Sequence, residues 1–358
     1  MRQKLPDFPW DLLAPYADVA RKHPEGAIDL SVGTPVDSTP EFIQEALRAA
    51  SNSPSYPVTI GTPELQKSLR EWAQKYCGAT GDFGVLPLIG SKEFVAWLPT
   101  FLQSRTVLYP EIAYPTYLVG ALLAQAEPTA VSLNTATWPN ADLAWVNSPS
   151  NPTGRVHSEA ELRAAIEWAR ATGGVLCSDE CYLEFGDSAS PTSVLNYTGG
   201  DNKNILAVHS LSKRSNLAGY RGAFVIGDSQ LIKEILEVRK HAGMMVPLPI
   251  QRAMVAALSD SQHVSEQRAR YNARRATMIT ALSAAGFTIE ASEAGLYIWA
   301  TRNENCWDTI TWLADRGVIA TPGIFYGDKG STHIRIAMTA TDAQISEAAA
   351  RISSKVGA

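Results

Sequence analysis

Cysteine is scarce in this chain of 358 residues. There are four: Cys77, Cys177, Cys181 and Cys306. None is spaced as C-x-x-C and their intervals match no zinc pattern, so they read as buried free thiols of a reducing compartment. The six histidines (His23, His157, His209, His241, His263 and His333) contain no H-E-x-x-H, and neither a structural nor a catalytic metal is expected. Runs of five or more like charges are also missing, and the formal net charge is -5. A basic stripe, the usual footprint of nucleic-acid binding, is therefore absent. No apolar run reaches the roughly 18 residues of a membrane span. The start, Met1 to Tyr16, mixes Arg2, Lys4, Asp7 and Asp11 with prolines and holds no apolar leader, which predicts a cytoplasmic protein. Internal repeats and low-complexity segments are lacking too.

What is present is a globular balance, 45% hydrophobic and 19% charged, in a chain long enough for two domains. The first 35 residues are Pro-rich and read as an irregular arm. From about Thr39, α and β patterns alternate. Glu41 to Ala50 and Pro63 to Tyr76 read as helices, the second with Leu65, Leu69, Trp72 and Ala73 on one face. Strands are expected at Val85–Ile89, Thr106–Tyr109, Thr129–Leu133, Leu143–Asn147, Val175–Ser178, Ile205–His209 and Ala223–Ile226. Helices are expected at Ser91–Leu102, Thr116–Ala126 and Ser158–Ala171, the last with Ser158 and Glu161 spaced as a capping box. This alternation predicts an α/β fold whose mostly parallel sheet is covered by helices on both faces. After Val246 the character changes. A long helical stretch, Pro249 to Ala285, breaks near Ser259–Ser261. Strands at Phe287–Glu290, Leu296–Ala300 and His333–Met338 and helices at Cys306–Arg316 and Thr341–Ser354 follow. The expected division is an arm at 1–36 joined to the small domain, a large domain at 37–246 and a smaller α+β domain at 247–358.

Four segments carry chemistry. Ser210-Leu-Ser-Lys213 follows an apolar strand, with Gly219-Tyr-Arg221-Gly222 close behind. A lysine at a strand end of an open α/β sheet sits where ligands bind, and a lowered pKa would let it form a Schiff base with a carbonyl compound. Alone, such a lysine is more often a solvated loop residue. Ser178-Asp179-Glu180-Cys181-Tyr182 also ends a strand. A carboxylate there can keep a pyridine nitrogen protonated, or simply cap a turn. Asn147-Ser-Pro-Ser-Asn151-Pro-Thr-Gly154 reads as a turn that brings the Asn151 amide to the same crevice. Gly90-Ser91-Lys92-Glu93 joins a strand to a helix whose first N–H groups suit phosphate, though one glycine is weak evidence.

Asn-Pro-x-Gly, Asp-x-x-Tyr, Ser-x-Ser-Lys and Gly-x-Arg, in this order, resemble the class I/II aminotransferases of fold type I, which use pyridoxal 5'-phosphate. The resemblance spans nearly the whole chain and implies a large domain with a seven-stranded type of sheet. It also implies roles. Lys213 would hold the cofactor and move the substrate's α-proton. Asp179 would pair with the ring nitrogen, and Asn151 and Tyr182 with the ring oxygen. Ser210, Arg221, Ser91, the Lys92 backbone and Ser212 would take the phosphate. Tyr114, in Ala113-Tyr-Pro-Thr-Tyr117, would stack on the ring. Tyr56 would reach the phosphate of a second copy, making a homodimer. Arg335, in His333-Ile-Arg-Ile-Ala-Met338, would bind the substrate α-carboxylate, with Gly33 close by. One departure stands out: Arg221 is followed directly by Gly222, where many relatives place an apolar residue first, so the local turn is open.

Leu86-Pro-Leu-Ile-Gly-Ser-Lys-Glu93, Trp97-Leu-Pro99 and Ser212-Lys-Arg-Ser-Asn-Leu-Ala-Gly219 are further similar to actinobacterial N-succinyldiaminopimelate aminotransferases of lysine biosynthesis. That narrower resemblance implies transfer from N-succinyl-LL-2,6-diaminopimelate to 2-oxoglutarate by ping-pong kinetics. An aspartate or aromatic aminotransferase, or a carbon–sulfur lyase on the same scaffold, stays open beside it.

Overall fold

The computed structural model describes residues 5–7 and 9–354. Residues 1–4, 8 and 355–358 lie outside that description, and with them part of the stretch read for a leader. The expected irregular arm is partly helical. Pro9–Leu13 forms a 3-10 turn that runs into a helix over Ala14–Ala20. Pro15 lies in the first turn of that helix, where a missing N–H costs nothing and the fixed φ helps. Strand β1 (Ile28–Asp29) then pairs in parallel with Val318–Ile319.

Seven strands build the main sheet: β2 (Gly84–Ile89), β3 (Thr106–Pro110), β4 (Glu127–Val131), β5 (Leu143–Asn147), β6 (Val175–Asp179), β7 (Ile205–Ser210) and β8 (Gly222–Gly227). Their order is β2-β8-β7-β6-β5-β3-β4. Strand β8 runs antiparallel to β2 and β7; all other pairs are parallel. Every residue of β5, β6, β7 and β8 is buried, as a sheet covered on both faces requires. Proline lies in the edge strands or at a strand end: Pro87 in β2, Pro128 in β4, and Pro110 as the last residue of β3. Strand β4 begins two residues before the expected Thr129, because Glu127 and Pro128 already pair with β3.

Helices cover the sheet. In Pro63–Cys77, Thr62 caps the start by accepting from the Leu65 N–H at 3.2 Å, and Gly78 ends it in the left-handed region. Leu65, Leu69, Trp72 and Ala73 form its buried face. Burying such a leucine contributes about 1.5–3 kcal/mol. Glu159–Thr172 starts with the expected Ser158–Glu161 capping box. Among the longer helices on the sheet, Ser229–Ala242 goes unmarked in the sequence reading.

The smaller sheet holds β9 (Thr288–Glu290), β10 (Tyr297–Thr301), β12 (Thr321–Pro322) and β13 (His333–Ala337), in the order β12-β13-β10-β9, all antiparallel. The partner of β1 is β11 (Val318–Ile319). Arm residues Leu13, Ile28 and Leu30 share a core with Ile298, Trp299, Ile334 and Ile336. The long helical stretch splits into Leu248–Ser259 and Gln262–Ala284, at the expected break. Its first half buries Ala253, Met254 and Ala257 against Leu65, Leu69 and Trp72 of the main core. The change of composition at Val246 therefore comes one helix earlier than the change of packing partner. Among the described residues, no helix is long and apolar enough to cross a membrane.

Candidate active site

The sheet's polarity gathers the candidate residues at one edge. Strands β2, β3, β5, β6 and β7 end there, and β8, reversed, begins there: Ile89 pairs with Gly222 and Ser210 with Ala223. So Gly90 and Ser91, Tyr114, Asn151, Asp179, Ser210 to Lys213 and Arg221 all emerge along the same rim. Ligands of open α/β sheets bind beyond these strand ends.

Asp179 is the last residue of β6, paired with Asn147 on one side and Val208 on the other. It is buried, and burial raises its pKa above the ordinary carboxylate range. Tyr117 donates to its Oδ2 at 2.8 Å and the Cys181 N–H to its Oδ1 at 3.2 Å. It forms no ion pair among the described residues, so a buried carboxylate here has room for a cationic partner. A protonated pyridine fits that need.

Lys213 sits on a single helical turn, Leu211–Arg214, just past β7. Burial chiefly lowers its pKa to about 8; the Arg221 and Arg335 charges add to this, against an opposing pull from Cys181. Its amine makes no hydrogen bond or ion pair among the described residues. A neutral, desolvated amine is what carbonyl chemistry requires.

A second group lies beside it. The helix Ser91–Phe101 begins after Gly90, whose φ of 79° and missing side chain admit the Arg221 guanidinium; a Cβ on Gly90 would overlap it. Arg221 itself takes the left-handed conformation, φ 59°, which settles the open turn before Gly222. Its Nη1 donates to the Ala218 carbonyl at 2.8 Å. The Ser210 hydroxyl accepts from the Ser212 N–H at 3.1 Å, and Ser91 lies beside the Cys181 thiol. A helix start, a guanidinium and hydroxyls in one place fit a phosphate. Lys92 is exposed in the first turn of that helix.

Across the crevice stands Arg335, in β13, an inner strand of the small sheet. It is 3% exposed and has no carboxylate partner among the described residues. Its Nη1 donates to Asn151 Oδ1 at 2.9 Å and its Nη2 to the Ser31 carbonyl, while Nε finds no partner among the described residues. The rings of Tyr297 and Tyr326 lie 4.1 and 5.1 Å from its guanidinium carbon. A buried, unneutralised guanidinium with an orphaned N–H fits an incoming carboxylate. Since Arg335 occupies the Asn151 oxygen, the amide NH2 is what Asn151 has left to offer. Tyr182, buried, meets the Tyr297 hydroxyl at 3.1 Å. Gly33 is needed because a Cβ there would overlap that same Tyr297 hydroxyl.

Tyr114 lies edge-on to Tyr117, ring centroids 6.0 Å apart, and burial pushes its pKa up to about 12. Tyr56 is not brought to this site within the chain: it is 92% exposed, on a loop that also shows Val58 and Ile60. Two contributors escaped the sequence reading. Tyr117 closes the quoted Ala113–Tyr117 run, one helical turn after Tyr114. Tyr297 sits in an apolar strand and looks like core.

No disulfide forms, and Cys181 is only half-buried. Where no metal is expected, Cys77, Glu180 and His209 place ligand atoms within 4.8 Å of one another in the main core. Burial lowers the His209 pKa to about 3 and raises that of Glu180 to about 7, which suits a neutral hydrogen-bonded cluster.

Residues 25–352 match the family model for aminotransferase class I and II. The chain is similar to the probable aminotransferase of Mycobacterium tuberculosis, 51% identical over 97% of this chain and 85% of that protein. It is similar also to the 4-dedimethylamino-4-oxo-anhydrotetracycline transaminase of Streptomyces rimosus, 50% identical over 98% and 99%. A solved structure of a probable N-succinyldiaminopimelate aminotransferase from Thermus thermophilus superposes with a TM-score of 0.87 at 27% identity, covering 97% of this chain and 99% of that one. The chain belongs to the class I and II aminotransferases, enzymes of fold type I that depend on pyridoxal phosphate.

Proposed function

We propose that the chain moves the amino group of an α-amino acid to a 2-oxo acid, with Lys213 as the residue that holds the cofactor. The observation that carries this is the pairing of a desolvated lysine amine with a buried, unneutralised arginine across one crevice. Bound there, pyridoxal phosphate supplies an electron sink for the charge left when the α-proton departs. Asp179 keeps the ring nitrogen protonated, and Tyr117 holds Asp179 in place. Asn151 and Tyr182 donate to the ring oxygen, and Tyr114 covers the ring face. Ser91, the Lys92 backbone, Ser210, Ser212 and Arg221 hold the phosphate. Arg335 grips the substrate α-carboxylate above Gly33, which fixes the α-hydrogen within reach of the Lys213 Nζ. That amine would take the α-proton and pass it to the cofactor's carbon on the far side of the amino nitrogen. Arg335 serves both amino donor and oxo acceptor, so the two substrates use the site in turn.

As donor we propose N-succinyl-LL-2,6-diaminopimelate, with 2-oxoglutarate as acceptor; the Thermus neighbour supports this. A second reading rests on the Streptomyces relative at 50% identity: amino transfer onto a bulky cyclic ketone. We also propose a homodimer, in which a second copy covers Tyr56, Val58 and Ile60 and receives Tyr56 at its phosphate. A panel of donors and acceptors with the purified, cofactor-loaded protein tests the substrate. A clear lead for the succinylated donor supports the first reading. A lead for glutamate with a cyclic ketone supports the second. Pyruvate and ammonia formed without any acceptor would indicate a lyase and contradict both.

A further inference from the structure

Tyr297 belongs to none of the motifs, yet it joins three parts of the site. Its hydroxyl lies 3.1 Å from that of Tyr182. Its ring lies under the Arg335 guanidinium at 4.1 Å. Its hydroxyl also fills the space where any side chain at Gly33 would begin. The residue is 3% exposed, so the hydroxyl is held by protein rather than by bulk water.

A phenol has one hydrogen to give. If Tyr182 spends its own on the cofactor's ring oxygen, the hydrogen between the two tyrosines must come from Tyr297. We propose that Tyr297 is a positioning residue that donates to Tyr182 and makes it a stronger donor to the ring oxygen, and that Gly33 is glycine to leave room for that hydroxyl. This rests on the proposed placement of Tyr182 against the cofactor. A donor that is itself hydrogen-bonded is polarised and bonds more strongly. The ionised form of the ring oxygen is then favoured, and the pH at which the loaded protein's visible absorption band titrates is lowered.

The test is Tyr297→Phe, which keeps the ring and its contact with Arg335. Wild type, Tyr297→Phe, Tyr182→Phe and the double variant are loaded with pyridoxal phosphate, and the visible band is titrated against pH. Tyr297→Phe should titrate about half a pH unit higher, roughly a threefold change in proton affinity for one strengthened bond. Adding Tyr297→Phe to Tyr182→Phe should shift nothing further. In a second cycle, Gly33→Ala should raise the KM for amino donors, and Tyr297→Phe should relieve part of that rise by removing the overlapped oxygen. If Tyr297→Phe titrates like wild type, or still shifts the band when Tyr182 is already Phe, the proposal is overturned while the placement of Tyr182 stands. If Tyr182→Phe itself leaves the band unmoved, the placement of Tyr182 fails, and the proposal with it.

Discussion

Arg335 and Asn151, 184 residues apart in sequence, meet at 2.9 Å across the crevice. The bond ties β13 of the small sheet to the loop after β5, so the group proposed to hold the substrate and one proposed to hold the cofactor position each other. Replacing Arg335 with lysine keeps a charge but loses the planar fork. Losing one of the two charge-assisted hydrogen bonds costs about 1.5–3 kcal/mol, so kcat/KM for amino donors should fall roughly 10- to 150-fold. Steady-state kinetics check this, and a fall below about tenfold would speak against a bidentate grip.

The lowered pKa of Lys213 sets a pH dependence. Below about 8 the amine is protonated and cannot attack a carbonyl; above it the amine is neutral. Capture of pyridoxal phosphate by the cofactor-free protein should quicken about tenfold per pH unit up to that point, then level off. Stopped-flow absorbance measures it. A rate still climbing steeply above pH 9 would place the lysine in water.

Tyr117 is the hydroxyl partner of the buried Asp179 carboxylate. Tyr117→Phe leaves that oxygen short of a donor, which costs about 1–3 kcal/mol. The variant should unfold at lower urea concentration and hold pyridoxal phosphate less tightly, read by urea unfolding and by titration with the cofactor. Unchanged stability and affinity would mean that the bond does nothing for Asp179.

Much of this was legible in the sequence because the chemistry lies on strand ends. Asp179, Ser210 and Asn147 each close an apolar run, and a parallel sheet collects such ends on one edge. Tyr297 was not legible: every residue of β10 is buried, so it looks like core, and only the fold places its hydroxyl at Tyr182. Tyr56 was read as reaching another copy, and one chain shows only its exposure. The arm was read as irregular from its proline content, although Pro15 falls in the first turn of a helix, which accepts proline. The helix Ser229–Ala242 had its signals in view: Asp228 before it, Ile232, Ile235 and Leu236 on one face, and Gly243 after it. Leu248–Ser259 was assigned by composition, which does not report a packing partner.

That missed helix gives a stability prediction. Asp228 accepts from the N–H groups of Gln230 and Leu231 at 2.8 and 3.2 Å, and from that of Asn204 at 2.7 Å. Asp228→Ala should destabilise the fold by about 1–2 kcal/mol, as loss of a helix cap does, with the cofactor residues untouched. Thermal unfolding of the loaded protein should show a lower midpoint beside unaltered kcat; an unmoved midpoint would show that the cap is dispensable.

The central claim is amino transfer through Lys213, and a single half-reaction tests it most directly. Cofactor-loaded protein is mixed with excess amino donor and no oxo acceptor, and the oxo acid released is counted per site. One equivalent from wild type, none from Lys213→Ala, and resumed turnover when an oxo acid is added is the predicted result. Continued release of oxo acid and ammonia without an acceptor, or wild-type yield from Lys213→Ala, would contradict it.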